Sequence, residues 1–134
     1  MNVRKVALGA AVLGCMLAPP VAAACVDNVV LVHGNAGKPA DFDNTYNELL
    51  ARGYAASQVY RPNWGSKTCP ACNDHYGSEE TPVATALTQA KAGSCTGKID
   101  VLGHSMGATL AAREIAKLGL AGSVHTFIGI AGAF

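Results

Sequence analysis

One stretch, residues 98–118, constrains the fold of this chain more than any other. It reads as a short apolar strand at residues 99–102, then Gly-His-Ser-Met-Gly at residues 103–107, then a helix at residues 108–118. A Gly-x-Ser-x-Gly pattern between a strand and a helix indicates a sharp turn that presents its serine above the carboxyl end of a sheet. Both glycines are needed, because a side chain at either position would collide with a neighbouring strand or helix.

This turn gives Ser105 surroundings that suit a nucleophile. A serine hydroxyl attacks poorly until a base removes its proton, and the tetrahedral intermediate that follows needs hydrogen-bond donors aimed at its oxyanion. The N-terminus of the next helix offers N–H groups and the positive end of a dipole beside the hydroxyl. The pattern therefore predicts acyl transfer at Ser105, with the backbone N–H of Met106 as one oxyanion donor.

The rest of the chain predicts an α/β fold with a mainly parallel sheet and flanking helices. Apolar runs at residues 29–32 and 124–130 are typical of strands buried in a parallel sheet, and another strand is expected around residues 58–60. Helices are expected between these strands, from residue 43 or 44 to 53 and from 79 to about 93. Alternation of strands and helices is the signature of this fold class.

The loop after the first strand, His33-Gly34-Asn35-Ala36-Gly37, is expected beside Ser105. Parallel strands bring their carboxyl ends to one edge of the sheet, where sites form. The backbone N–H of Asn35 is then available as a second oxyanion donor. Acyl transfer is favoured because the nucleophile and both donors meet at that edge.

Two motifs carry a family resemblance: Leu31-Val32-His33-Gly34 and, later, Leu102-Gly103-His104-Ser105-Met106-Gly107. Together they resemble the α/β-hydrolase superfamily, specifically the small secreted bacterial lipases of class 2, over roughly residues 28–134. The resemblance implies that Ser105 is the nucleophile, that the N–H groups of Asn35 and Met106 form the oxyanion hole, and that the substrate is a lipid or other carboxylic ester. It also implies transient contact with a lipid interface and no cofactor. The supporting motif residues are His33, Gly34, Gly103, His104 and Gly107.

The chain departs from that family at its C-terminal end. Class 2 lipases take their catalytic acid and then their histidine from loops after two further strands, whereas this sequence stops at Phe134. Residues 25–134 are therefore expected to be the N-terminal part of the domain, a C-terminally truncated fragment without triad acid, triad histidine or last strands, and with little turnover. The alternative is a non-catalytic secreted binding protein of the same fold. The apolar last strand, with only His125 as a chargeable side chain, favours the fragment.

The histidines present are expected in other roles. His104 lies inside the turn and should point away from Ser105, while His33 should brace its own loop. His75 and His125 are expected at the surface.

Residues 1–24 read as a secretory signal peptide. Arg4 and Lys5 precede an apolar run that is too short to span a bilayer, and small residues at 21–24 form a cleavage site after Ala24. Acylation of Cys25, as in a lipoprotein, is a weaker alternative. The predicted location is secreted or periplasmic. Loss of two basic residues lowers the formal net charge from +1 to −1, and no basic patch indicates nucleic acid. No specific protein partner is predicted.

The four cysteines left after cleavage are expected to form disulfides, because an exported chain meets an oxidising environment. The Cys69-Pro-Ala-Cys72 segment has neither the second pair of a zinc site nor the strand–helix setting of a redox motif, so a short structural bridge is favoured and no metal is predicted. Cys25 and Cys95 each precede a predicted strand by four residues. If those strands are neighbours, the expected pairs are Cys25–Cys95 and Cys69–Cys72.

Overall fold

The computed structural model describes residues 25–132, which form a parallel sheet between helices. In chain order the elements are β1 (Asn28–Val32), α1 (Asp43–Ala51), β2 (Val59–Tyr60), α2 (Glu80–Gly93), β3 (Ile99–His104), α3 (Met106–Lys117) and β4 (Val124–Ile130). The strand order is β2-β1-β3-β4, and every pairing is parallel. The predicted α/β class with a parallel sheet is confirmed. The signal peptide predicted at residues 1–24 lies outside the described residues.

Strand β1 is central to the packing, and its alternate side chains pack on opposite faces of the sheet. Val30 and Val32 are fully buried against α2 and α3, where they meet Leu87 and Leu110. Val29 and Leu31 point to the opposite face, together with Phe42 and the apolar side of α1. Burying one such aliphatic side chain is worth about 1.5–3 kcal/mol. Removal of water from both faces explains why the strand reads as an unbroken apolar run.

The face that carries α1 is less completely covered than the other face. A cavity of about 240 Å³ lies between α1 and the sheet, and its lining includes Leu31, Leu49 and Tyr54. Farther along the sheet, Ile128 and Ile130 of β4 are 49% and 47% exposed. Across residues 25–132, no helix combines the length and apolar character needed to cross a lipid bilayer.

Several element boundaries differ from those predicted. Helix α3 begins at Met106 rather than at residue 108, and β3 continues to His104, so Ser105 alone separates them. Strand β2 is reduced to Val59–Tyr60, because Gln58 belongs to a short 3-10 turn. The long polar loop at residues 63–78 stays irregular apart from short 3-10 turns at Pro70–Cys72 and Gly77–Glu79.

Cys25 is bonded to Cys95, and Cys69 to Cys72, the two pairings expected from the sequence. The sheet register pairs Asn28 of β1 with Ile99 of β3. The segments just before these strands therefore run side by side, which brings Cys25 and Cys95 together at the amino end of the sheet. That end is opposite Ser105.

Candidate active site

Ser105 occupies a strained backbone conformation between β3 and α3. Its φ of 51° and ψ of −131° lie outside the regions that side chains favour. Such a conformation costs about 1–3 kcal/mol and persists only where the surroundings enforce it. Here the Ser105 N–H donates to the carbonyl of Ile130 at 2.7 Å, and its carbonyl accepts from the N–H of Ala108 at 3.0 Å. These bonds fix the residue at the carboxyl end of the sheet.

Three glycines allow the backbone around Ser105 to pack closely. A Cβ at Gly103 would lie 2.5 Å from the Cα of Ala108, and one at Gly107 would lie 2.0 Å from the carbonyl oxygen of His33. A Cβ at Gly34 would lie 3.3 Å from the Cβ of Ser105. The start of α3 and the loop after β1 are therefore in direct contact. The structure thus brings together the two motifs that the sequence places at this edge.

His33 is a buried structural residue of this loop, with an exposed fraction of 1%. Its ring stacks on Trp64 with centroids 5.5 Å apart. The Nε2 atom accepts from the N–H of Trp64 at 3.3 Å, so the proton belongs on Nδ1, which lies 2.8 Å from the Gly34 carbonyl. Burial lowers the pKa of His33, and the nearby Lys67 charge lowers it further. Both ring nitrogens are occupied, which leaves neither to serve as a base.

Trp64 completes this support, a role that no pattern in the sequence predicts. Its indole N–H donates to the carbonyl of His33 at 2.8 Å, and its side chain is 2% exposed. It is the single tryptophan of the chain and lies in a polar loop, where neither helical nor strand periodicity applies. The one available signal was the presence of a large aromatic residue in an otherwise polar segment.

The two expected oxyanion donors belong to segments that meet at Ser105, the start of α3 and the loop after β1. Met106 is the first residue of α3, so its N–H has no partner within the helix. Asn35 lies at the exposed tip of a tight turn closed by a 3.0 Å bond from the Gly37 N–H to the Gly34 carbonyl.

None of the other three described histidines forms a hydrogen bond with Ser105, so none is in position to take its proton. His104 is exposed, and its Nδ1 lies 2.8 Å from the position of a Cβ at Gly34. The Nε2 of His75 is buried without a hydrogen-bond partner in the loop before α2. His125 lies at the amino end of the sheet, 2.6 Å from the Asp27 carboxylate. Within residues 25–132, none of the four histidines is hydrogen-bonded to Ser105.

Asp27, Asp100 and His125 form a cluster that the sequence analysis did not identify. One ligating atom from each lies within 4.8 Å of the others, at the edge opposite Ser105. Asp27 also accepts from the Thr96 hydroxyl at 2.5 Å, and this bond, together with His125, lowers the pKa of Asp27 despite partial burial. The cluster joins the starts of β1, β3 and β4.

Comparison with known proteins places the chain in a family and finds similar solved structures. The class 2 lipase family matches residues 27–133. An extracellular α/β-hydrolase from a Paenibacillus species, described as homologous in structure and function to tobacco salicylic acid binding protein 2, is 20% identical with a TM-score of 0.48. That alignment covers 72% of this chain but only 36% of the Paenibacillus protein. No curated protein matches. Because the family match spans nearly all the described residues, the chain belongs to the class 2 lipase family.

Proposed function

We propose that this protein is a serine-dependent carboxylic ester hydrolase of the lipase or esterase type, with Ser105 as its nucleophile. The observation that carries the proposal is the strained Ser105 backbone, held between β3 and α3 against the loop after β1. A sharp strand-to-helix turn of this kind exposes a serine hydroxyl to substrate. Membership of the class 2 lipase family supports the same reaction.

In the proposed reaction, the Ser105 oxygen bonds to the ester carbonyl carbon while a base takes the hydroxyl proton. The carbonyl π electrons move to oxygen, and the N–H groups of Asn35 and Met106 stabilise that oxyanion. Collapse of the intermediate breaks the bond to the alcohol, which leaves with a proton. Water then hydrolyses the acyl-enzyme and releases the carboxylic acid. We assign roles to the nucleophile and the two donors only, because no histidine within residues 25–132 is bonded to Ser105.

The proposed substrates are lipid esters, met by transient contact with a lipid interface, and the reaction needs no cofactor. We further propose that the protein works in the periplasm or outside the cell. Two disulfides suit an oxidising compartment and are rare in the cytosol. A formal net charge near zero gives no support to nucleic acid as a partner.

The test is covalent labelling of the protein, expressed from its natural gene, with an alkyl fluorophosphonate. This probe phosphonylates an activated serine, and peptide mass mapping identifies the residue modified. We expect a single label on Ser105 and none in the Ser105→Ala variant. Ser57→Ala is the matched control, because Ser57 is an exposed serine remote from the turn and its loss should leave labelling unchanged.

The other outcomes of this experiment are equally informative. A folded protein, verified by circular dichroism, that takes no label would contradict a serine mechanism and support the non-catalytic binding protein instead. Labelling of another serine would also overturn the assignment. If Ser105 is labelled, a series of p-nitrophenyl esters of increasing chain length separates a lipase from a short-chain esterase.

A further inference from the structure

The turn that carries Asn35 needs support from outside itself. One backbone bond closes it, and Ala36 at its tip has a φ of 58°, a region that residues with a Cβ rarely adopt. Asn35 and Ala36 are both exposed. A strained and exposed turn keeps one conformation only where further contacts hold it.

Those contacts come from the loop that contains the Cys69–Cys72 disulfide. The Asn35 side-chain NH₂ donates to the carbonyl of Pro70 at 3.1 Å, and its Oδ1 accepts from the NH₂ of Asn73 at 2.6 Å. A carbonyl oxygen can only accept, so the orientation of the Asn35 amide is unambiguous. Both polar atoms of the side chain are therefore bonded to this loop.

Asn73 is itself fixed on two sides. Its Oδ1 accepts from the Ser66 N–H at 2.6 Å, and its NH₂ donates to the Ser66 carbonyl at 3.0 Å. With the bond to Asn35, both amide hydrogens of Asn73 are used. The Asn73 N–H donates to the Pro70 carbonyl at 3.2 Å. This carbonyl lies within the segment closed by the disulfide and therefore accepts hydrogen bonds from both asparagines.

From this network we propose that Asn73 is a positioning residue for the oxyanion hole. It acts through the Asn35 side chain, which it holds against the Cys69–Cys72 loop so that the Asn35 backbone N–H keeps one position in the turn beside Ser105. This inference rests on the proposed function. Loss of an oxyanion donor lowers the rate by about 10²–10³-fold, so a donor that is present but mobile should cost less, about tenfold.

A double-mutant cycle tests this route. The rate constant for phosphonylation of Ser105 is measured in the wild type, Asn35→Ala, Asn73→Ala and the double variant, with thermal stability measured alongside. We expect each single substitution to slow phosphonylation about tenfold. The double variant should react no more slowly than Asn35→Ala, because both substitutions remove the same Asn35–Asn73 contact. Asn47→Ala is the control, since Asn47 is an exposed asparagine of α1.

A conservative variant separates positioning from general destabilisation. Asn35→Asp keeps an oxygen that accepts from Asn73 but loses the bond to Pro70, so its rate should lie between those of the wild type and Asn35→Ala. Additive losses in the double variant would mean that Asn73 acts by another route. An unchanged rate in Asn73→Ala would overturn the proposal directly.

Backbone ¹⁵N relaxation provides a readout that does not depend on Ser105 reactivity. We expect the order parameters of Asn35 and Ala36 to fall from about 0.85 in the wild type to below about 0.6 in Asn73→Ala. The Cys69→Ser/Cys72→Ser variant should show the same fall in order parameters, and it replaces Asn73→Ala in this measurement if Asn73→Ala does not fold. If the wild type is not phosphonylated, the proposed function fails while this measurement still decides the role of Asn73. Unchanged order parameters would contradict it.

Discussion

The His33 ring contacts Trp64, Gly34 and Lys67, and its protonation should change the free energy of unfolding. The buried ring accepts from the Trp64 N–H through Nε2, a bond that requires the neutral form. Lys67 Nζ, 3.5 Å from the same nitrogen, opposes protonation further. Burial lowers the pKa of His33 below its ordinary value of 6.5. In the unfolded chain the imidazole would take up a proton at a higher pH than in the folded protein.

The expected result is a loss of stability on acidification. Between the unfolded pKa of about 6.5 and the lower folded pKa, the unfolded state binds more protons, so the free energy of unfolding falls as the pH falls. Below the folded pKa the effect of this group is complete. Urea denaturation at several pH values between 7.5 and 4.5 measures it. His33→Asn should be less stable at pH 7.5 and should lack this part of the slope.

His104→Asn is the matched control, because His104 is an exposed histidine next to the same turn. The His104→Asn variant keeps the bonds of His33, so it should retain the acid-dependent loss of stability that His33→Asn lacks. If His33→Asn kept the wild-type slope, the proton uptake would belong to another group.

At the scale of elements, the start of α3 depends on Gly107. A glycine within a helix usually costs about 0.5–1 kcal/mol relative to alanine, so a substitution by alanine normally stabilises. Here the added methyl group would lie 2.0 Å from the His33 carbonyl oxygen, which is backbone and cannot rotate aside. The close contact between α3 and the loop after β1 explains why glycine is required.

Gly107→Ala should therefore destabilise the protein by about 1–3 kcal/mol, the usual cost of overpacking. It should also abolish labelling of Ser105, because α3 must move away from the loop that carries Asn35. Gly122→Ala is the control: within residues 25–132, no atom beyond Gly122 and its two chain neighbours lies within 4 Å of the added Cβ, and stability should change little. Chemical denaturation of both variants gives the comparison. A Gly107→Ala protein as stable as the wild type would mean that the contact is not close in solution.

The elements could be predicted well from the sequence where a local pattern defines them. The apolar run of β4 was predicted with the observed bounds, Val124–Ile130. The start of α3 was placed two residues late, because Gly107 has a poor helix propensity and its packing against His33 is not visible in the sequence. Glu114 reads as a polar residue of α3, yet it is 1% exposed and burial raises its pKa. The side chains that support the turn, Trp64 and Asn73, lie in a loop without periodicity.

At the scale of the whole molecule, long-range order depends on the register of β1 and β3. The Cys25–Cys95 pairing follows from two cysteines at equal distances before their predicted strands, on condition that these strands are neighbours. In the structure β1 and β3 are neighbours, and Asn28 pairs with Ile99. Parallel neighbours with matched starts bring the preceding segments together. The Asp27–His125 hydrogen bond at the same edge had no comparable signal, because its partners are 98 residues apart.

The Cys25–Cys95 bond should contribute more to stability than the Cys69–Cys72 bond. The two bridges close segments of very different length, with sequence separations of 70 and 3. In the chain-entropy account, a bridge stabilises by restricting the unfolded chain, by about 4 kcal/mol for the longer loop and about 2 kcal/mol for the shorter one. Removal of the longer bridge leaves the starts of β1 and β3 held by backbone bonds, core packing and the Thr96–Asp27 hydrogen bond.

Serine pairs at each bridge test this difference by urea denaturation at pH 7. Cys25→Ser/Cys95→Ser should lower the free energy of unfolding by about 4 kcal/mol and should leave the Ser105 turn intact if the chain still folds, because the bridge lies at the opposite edge. Cys69→Ser/Cys72→Ser should cost about half as much stability, but it should slow the labelling of Ser105. The bridge at the amino end of the sheet would then mainly affect stability, and the bridge near the carboxyl end would mainly affect the reactivity of Ser105. Equal losses of labelling in both variants would show instead that the turn depends on the whole sheet.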